Sequence, residues 1–212
     1  MMKRKASVLS LLVLLSAPTC LAFTTMDAME NLFGLRLTAG MFQPTNAPES
    51  YEKVYDGPGF DLGLGGFWLH ESGWSIVVHF EYFLNSGERA YASGGGSGYD
   101  EDLGMWSLLA TGYYHFLRDG SISPFLGGGL GYYNLTVDAT GIDESVSSSS
   151  WGAHLDAGID FLVGTPVNIG LEARYSIIPD LIGDGGLSAY YDEHDFGGVA
   201  LFVTLSVFLG GM

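Results

Sequence analysis

From residue 32 onward, apolar and polar side chains alternate along the chain with a period of two, and turn-forming residues interrupt the alternation. This pattern is typical of β-strands that present one apolar and one polar face. There are eight such runs, and each is about long enough for a tilted strand to cross a bilayer. The predicted strands are residues 32–42, 59–69, 74–84, 104–117, 123–137, 151–163, 167–178 and 198–209.

The third run shows the alternation clearly, because Ser75, His79 and Glu81 occupy one of its faces. The opposite face is a continuous apolar row: Trp74, Ile76, Val78, Phe80, Tyr82 and Leu84. Soluble sandwiches and soluble ligand-binding barrels also alternate in this way, so further features must separate them from a membrane barrel.

The lengths of the connections and the positions of the aromatic residues favour the membrane barrel. Short turns on one rim and long loops on the other are typical of outer-membrane barrels, as are aromatic girdles at both interfaces. The short turns are residues 70–73, 118–122 and 164–166, and the long connections are residues 43–58, 85–103, 138–150 and 179–197. The predicted girdles are Trp68 and Trp74 at the short turns and Trp106, Trp151, Tyr82 and Tyr175 at the long loops.

The start of the chain has the features of a cleavable export signal. A basic segment precedes an apolar run at residues 9–15, and a small-residue exit predicts cleavage after Ala22. The expected domains are a signal peptide, residues 1–22, and an outer-membrane β-barrel, residues 23–212. Lipidation at Cys20 is the less favoured alternative, because the residues before it fit a lipobox poorly.

Charge and composition narrow the classes of partner. After loss of the basic signal segment, five basic residues face 24 acidic ones, which argues against nucleic-acid binding. Lys53 is the single lysine left, so the apolar exterior is better suited to lipid than to water. The expected surroundings are outer-membrane lipid and lipopolysaccharide, and the barrel-assembly machinery is an expected partner during insertion.

The sequence therefore predicts an all-β fold, an eight-stranded antiparallel up-and-down transmembrane β-barrel in the cell outer membrane, exported through the periplasm. With the N-terminus in the periplasm, the short turns would be periplasmic and the long loops extracellular. The inward faces carry small polar residues and glycine. A lumen of this strand number is wide enough for side chains but not for an open aqueous channel.

Three segments carry a family resemblance: residues 124–132 (PFLGGGLGY), 152–161 (GAHLDAGIDF) and 171–176 (LEARYS). They resemble the fifth, sixth and seventh strands of the small porin-family barrels of the opacity-protein and OmpA type. The resemblance covers the mature chain and implies the same barrel, but it says little about function. The chain departs from that type at its end, where Leu209, Gly210, Gly211 and Met212 follow Phe208 in place of a terminal aromatic residue.

The inward faces also predict a structural ion-pair network, since buried charges must be paired. A turn centred on Thr165 puts Arg174 opposite Asp156. Asp61 and Glu81 are expected to oppose each other across the first short turn, with Arg36 as their counter-charge. The predicted network consists of Arg36, Asp61, Glu81, His154, Asp156, Glu172 and Arg174, and other inward ionisable residues are His79, His115 and Asp160. The alternative for these residues is a gated path for protons or ions.

No catalytic, cofactor-binding or metal-binding residues are predicted, and no cofactor is expected. His154 and Asp156 share a face, and His194 precedes Asp195, but neither pair comes with a serine nucleophile. The chain is therefore predicted not to be an enzyme.

The long connections are strongly acidic, and only Lys53 and Arg89 oppose their carboxylates. Clustered carboxylates make divalent cations possible partners there, although no known calcium-loop spacing is present. The acidic residues are Glu49, Glu52, Asp56, Glu88, Asp100, Glu101, Asp102, Asp138, Asp143, Glu144, Asp180, Asp184, Asp192, Glu193 and Asp195. The predicted function is structural support of the outer membrane or surface interaction through these loops. The alternative is a narrow porin-like channel, and a lipid-acting membrane enzyme is less favoured.

Overall fold

The computed structural model describes residues 31–46, 48–55, 57–89, 99–117, 121–139, 144–162, 166–182 and 194–211. The predicted signal peptide lies outside these residues, as do parts of all four long connections. The described part of the chain contains no helix with the length and apolar character needed to cross a membrane.

The strands run up and down and close into a barrel, in which each strand pairs antiparallel with its neighbour in sequence and the last pairs with the first. The prediction of an all-β, eight-stranded antiparallel barrel is thus confirmed. A short helix follows the first strand. The elements are β1 (Asn31–Pro44), α1 (Pro48–Glu52), β2 (Gly59–His70), β3 (Trp74–Arg89), β4 (Tyr99–His115), β5 (Ile122–Ala139), β6 (Glu144–Leu162), β7 (Val167–Ile177) and β8 (Gly198–Gly211).

The barrel is apolar outside and polar inside, the reverse of a soluble protein. Along β7, exposed and buried residues alternate, with Glu172 and Arg174 among the buried ones. Leu155, Leu171 and Leu201, on β6, β7 and β8, are each more than half exposed. The remaining five strands all carry large apolar residues in the same outward position. An exterior of this kind is unfavourable in water and suited to the hydrocarbon of a bilayer.

Aromatic side chains mark both ends of this apolar exterior. At the short-turn end, the ring centroids of Trp74 and Tyr114 are 5.0 Å apart. At the long-loop end, Tyr132 lies between Trp106 and Trp151, at 5.7 and 5.4 Å. The sequence had placed these two tryptophans at the starts of their strands. In the structure they lie well inside β4 and β6. The two rows are placed as interfacial girdles are in membrane barrels.

Four strands continue beyond the long-loop girdle, contrary to the sequence prediction. β3 and β4 pair as far as Arg89 and Tyr99, and β5 and β6 as far as Ala139 and Glu144. Much of the two predicted loops is therefore strand. The prediction ended each strand where the outward apolar residues stop, but a hydrogen-bonded ladder outside lipid needs no apolar face. We call this extension the protruding sheet, comprising residues 85–89, 99–103, 135–139 and 144–148.

The first short turn is one residue shorter than predicted and is centred on Ser72. It comprises residues 71–73 and ends in Gly73, whose φ of 92° lies in the left-handed region. A glycine in this conformation suits the last position of a three-residue hairpin loop. Asp61 consequently pairs with Phe83 and not with Glu81, so the predicted opposition of the two carboxylates is wrong.

The first loop fills the long-loop mouth of the barrel. Tyr51, on α1, accepts a hydrogen bond from Asn85 Nδ2, and the Tyr55 hydroxyl donates to Glu101 Oε1 at 3.0 Å. Their rings pack into an apolar group that also takes residues from both ends of the last loop. This mouth cluster consists of Phe42, Tyr51, Val54, Tyr55, Phe83, Leu103, Met105, Leu109, Tyr133, Leu135, Ile178, Leu181, Phe196, Ala200 and Phe202.

We predict that Val78→Arg destabilises the barrel. Val78 is half exposed and lies midway between the aromatic ends of β3, Trp74 and Tyr82. An arginine facing the bilayer midplane costs about 2–4 kcal/mol. The free energy of unfolding should fall by this amount when the barrel, folded into lipid vesicles, is titrated with urea. Glu88→Arg, in the protruding sheet, is the matched control and should have little effect. Equal losses in both variants would contradict the placement of the lipid belt.

Candidate functional site in the barrel lumen

Arg174 lies at the centre of a charged layer across the lumen. Its Nε donates to Asp156 Oδ1 at 2.6 Å, and its Nη2 donates to Glu172 Oε1 at 2.8 Å. Its Nη1 donates to both carboxylate oxygens of Glu81, at 2.7 and 2.6 Å. All four residues are buried, where charge-assisted hydrogen bonds are strong. One guanidinium therefore joins carboxylates from β3, β6 and β7.

Arg36 extends the layer from β1. Its Nη2 donates to Glu172 Oε2 at 2.6 Å, so that Glu172 bridges the two arginines. The guanidinium carbon also lies over the rings of Tyr113 and Phe125, at 5.5 and 5.4 Å from their centroids. Stacking of this kind stabilises a cation that has left water.

The assignment of Arg36 to Asp61 and Glu81 is wrong. Glu172 holds Arg36, and Arg174 holds Glu81. Both contacts cross the lumen between strands that are not neighbours, whereas the assignment considered only adjacent hairpins. The one pairing that follows from a short turn, Asp156 opposite Arg174, is present in the β6–β7 register.

Two histidines border the charged layer. His154 Nε2 lies 2.8 Å from Thr111 Oγ1 and 3.6 Å from Asp156 Oδ2. His79, which is fully buried, has its Nδ1 3.8 Å from Glu81 Oε1. The lumen thus carries polar and ionisable groups from β1, β3, β4, β6 and β7 at one level. The inward position of His154 agrees with the alternation of inward and outward residues along β6.

Asp61 also faces the lumen but stands apart from these contacts. The residue is 5% exposed, and no hydrogen-bond donor of the described residues reaches its Oδ1. Of the seven residues in the predicted network, the structure brings the other six into hydrogen-bonded or ionic contact: Arg36, Glu81, His154, Asp156, Glu172 and Arg174.

An open polar cavity of about 40 Å³ lies between the charged layer and the short turns, and Arg36 forms part of its lining. There, Ser75 Oγ lies 3.1 Å from His115 Nε2, and His115 Nδ1 lies 3.8 Å from Asp160 Oδ2. Strand parity predicted the inward position of the histidine and the aspartate, but Ser75 was not predicted as their neighbour. Its position on the same face of β3 as Glu81 was the signal that could have found it.

Buried side chains of the described residues cross the lumen at two successive levels, the charged layer and the mouth cluster. Within the described residues, no group of three or more His, Cys, Asp or Glu side chains is placed to hold a metal ion. The arrangement can hold strands together, exclude bulk water and bind small polar species in its cavities.

Comparison with known proteins agrees with this architecture. A family model described as the outer membrane protein beta-barrel domain matches residues 8–200. Neisserial surface protein A, from Neisseria, is 17% identical with a TM-score of 0.58, over 82% of this chain and 96% of that one. A major outer membrane protein from Thermus thermophilus is 13% identical with a TM-score of 0.53, over 84% and 99%. At these identities the two structures show a shared fold alone. No curated protein sequence matches the chain significantly.

We predict strong coupling between Arg174 and Asp156. Arg174→Ala leaves the buried carboxylates of Glu81 and Asp156 without their arginine, and Glu172 with Arg36 alone, and should lower the free energy of unfolding by about 3–5 kcal/mol. Asp156→Ala should cost less, because Glu81 and Glu172 still hold the arginine. In urea unfolding, the double variant should lose less than the sum of the two single variants, since their shared bond is lost only once.

The matched control for this cycle is Lys53→Ala, an exposed residue far from the layer, which should add to Asp156→Ala without coupling. Simple additivity of Arg174→Ala and Asp156→Ala would show that the bond does not contribute to stability.

Proposed function

The chain belongs to the family defined by the outer membrane protein beta-barrel domain, and on this basis we propose that it is a closed, non-enzymatic barrel that supports the membrane and contacts external partners through its long-loop end. It resides in the bacterial outer membrane, as its family does. The proposal places the short turns in the periplasm and the long loops at the cell surface.

The protruding sheet is the observation that carries this proposal. A barrel that only reinforced the membrane would need strands no longer than the bilayer, yet β3 to β6 continue past the aromatic girdle as a paired sheet. Ordered strands outside the lipid present a rigid surface, and rigid surfaces lose little conformational entropy when a partner binds. The closed lumen favours a role for this surface over one for the interior.

The charge of the protruding sheet indicates the kind of partner. Glu88 pairs directly with Asp100, and Asp102 with Asp138, and all four side chains are exposed. Like charges directly opposite each other destabilise a strand pair. A partner that supplies positive charge would relieve this repulsion, so we favour divalent cations, with lipopolysaccharide phosphates bound through them, or a basic protein surface.

A narrow channel for ions or small solutes is the second candidate. It is favoured by the polar cavity next to the short turns and by the ionisable groups at the level of the charged layer. Conduction would require the guanidinium of Arg174 to leave its carboxylates and the mouth cluster to open. Both steps expose or separate buried groups, and we therefore rank this function below the first.

An enzymatic role is the least favoured, although Ser75, His115 and Asp160 have the order of a hydrolytic triad. The distance of 3.8 Å between His115 Nδ1 and Asp160 Oδ2 exceeds a hydrogen bond, so Asp160 does not orient the histidine as a triad requires. The three residues also face the lumen, where a lipid substrate would have to leave the bilayer to reach them.

We predict that the wild-type protein forms no conducting channel in planar bilayers, with or without Ca²⁺, because the charged layer and the mouth cluster block the lumen. Discrete conductance steps in the wild type would support the channel instead.

The enzymatic alternative is tested in the same preparation with a fluorogenic ester. Wild type and Ser75→Ala should hydrolyse it equally slowly, and a rate that depends on Ser75 would contradict the non-enzymatic assignment.

Lipopolysaccharide binding should require Mg²⁺ or Ca²⁺, since Lys53 and Arg89 are the only basic residues in the long connections. Binding to purified lipopolysaccharide, measured by calorimetry, should be lost on chelation and restored by either ion. Replacing Asp102 and Asp138 by asparagine should weaken the ion-dependent binding. Tight binding that survives a chelator would show that the acidic surface is not the contact.

A further inference from the structure

A second cavity, of about 20 Å³, lies between the charged layer and the mouth cluster. Its polar wall is formed by Asp61, Glu81, Ser107, Tyr133, Arg174 and Ser176, and apolar side chains of the mouth cluster line most of the rest. A space of this size holds about one water molecule or an ion of similar size. The proposed function makes no use of this cavity.

Asp61 is the unusual member of the cavity wall. It is buried, and its Oδ1 receives no hydrogen bond from any of the described residues. Its register partner Phe83 belongs to the mouth cluster, and its partner on the other side is Gly40, so neither neighbouring strand offers it a side-chain donor at that position. A buried carboxylate left in this state is costly unless a cation or a proton neutralises it.

Neither arginine of the lumen is available to Asp61. Arg174 donates from all three of its nitrogens to Asp156, Glu81 and Glu172. Arg36 donates to Glu172, and neither of these two residues belongs to the cavity lining. Neither arginine therefore gives Asp61 a hydrogen bond, and a bound cation or a proton is left to neutralise its charge.

The chemistry of the wall selects a hard, singly charged cation. The polar groups other than the arginine are mainly carboxylate and hydroxyl oxygens, the ligands that hard cations prefer. Both oxygens of Glu81 already accept bonds from Arg174, so Asp61 is the one carboxylate of the wall with a full charge to share. A divalent ion would bring more positive charge than the one free carboxylate balances, next to the Arg174 guanidinium, so a singly charged ion is favoured.

We propose that this cavity binds one alkali-metal cation, Na⁺ or K⁺, held by the Asp61 carboxylate with Ser107 and Ser176 as further oxygen ligands. The bound ion neutralises Asp61 just below the mouth cluster. Arg174 lines the same cavity and repels the ion, so binding is weak and the ion exchanges with the medium.

The test is the thermal stability of the full protein, purified from membranes in a non-ionic detergent. NaCl or KCl is titrated against choline chloride at constant ionic strength, since choline is too large for the cavity. The melting temperature of the wild type should rise by several degrees and saturate with the smaller ion. Asp61→Asn should melt at a temperature that does not depend on which cation is present.

Two further variants make the result specific. Glu71→Gln, which removes an exposed carboxylate of the first short turn, should keep the full cation dependence. Ser107→Ala leaves Asp61 in place and should shift saturation to higher Na⁺ concentration. The proposal is overturned if the wild type melts equally in sodium and choline, which would mean that a proton neutralises Asp61, or if Asp61→Asn retains the dependence.

Discussion

The four hydrogen bonds of the Arg174 guanidinium are the interaction on which the rest of this barrel depends. They reach Glu81, Asp156 and Glu172, and so connect three strands from the inside. In a barrel of this size the lumen is too narrow for bulk water, so the polar side chains that face inward must satisfy one another. A planar, permanently charged group with several donors in fixed directions is suited to that task.

The need for such a centre follows from the lipid outside. Because the exterior must be apolar along the whole belt between the two aromatic girdles, the alternation of strand residues sends the remaining, polar positions into the lumen. The barrel then changes character along its axis. A polar cavity next to the short turns is followed by the charged layer, and the charged layer by the apolar mouth cluster. From the level of the mouth cluster outwards, where lipid no longer constrains either face, four strands continue as the protruding sheet.

This division of the molecule bears directly on function. The interior is occupied by interactions that stabilise the fold, and the two cavities described above, of about 40 and 20 Å³, are small. The exterior beyond the membrane is ordered, acidic and exposed, with carboxylates opposed in register. A barrel that acts through its surface accounts for both the filled interior and the acidic exterior. A small ion bound inside the lumen is compatible with this role.

The sequence by itself determined the number and order of the strands, the face each turns to lipid, and the inward position of the charged residues, because a period of two and the lengths of the turns specify these directly. It also placed Asp156 opposite Arg174, because in a hairpin with a short turn the paired residues are found by counting outward from the centre of the turn. Only the tertiary structure decided that Glu81 pairs with Arg174 and that Arg36 pairs with Glu172. These contacts cross the lumen, and which residues meet there depends on the tilt and stagger of all the strands. The protruding sheet was equally hidden, because outside the bilayer neither face has to be apolar, and the alternation that reveals a strand in the sequence disappears.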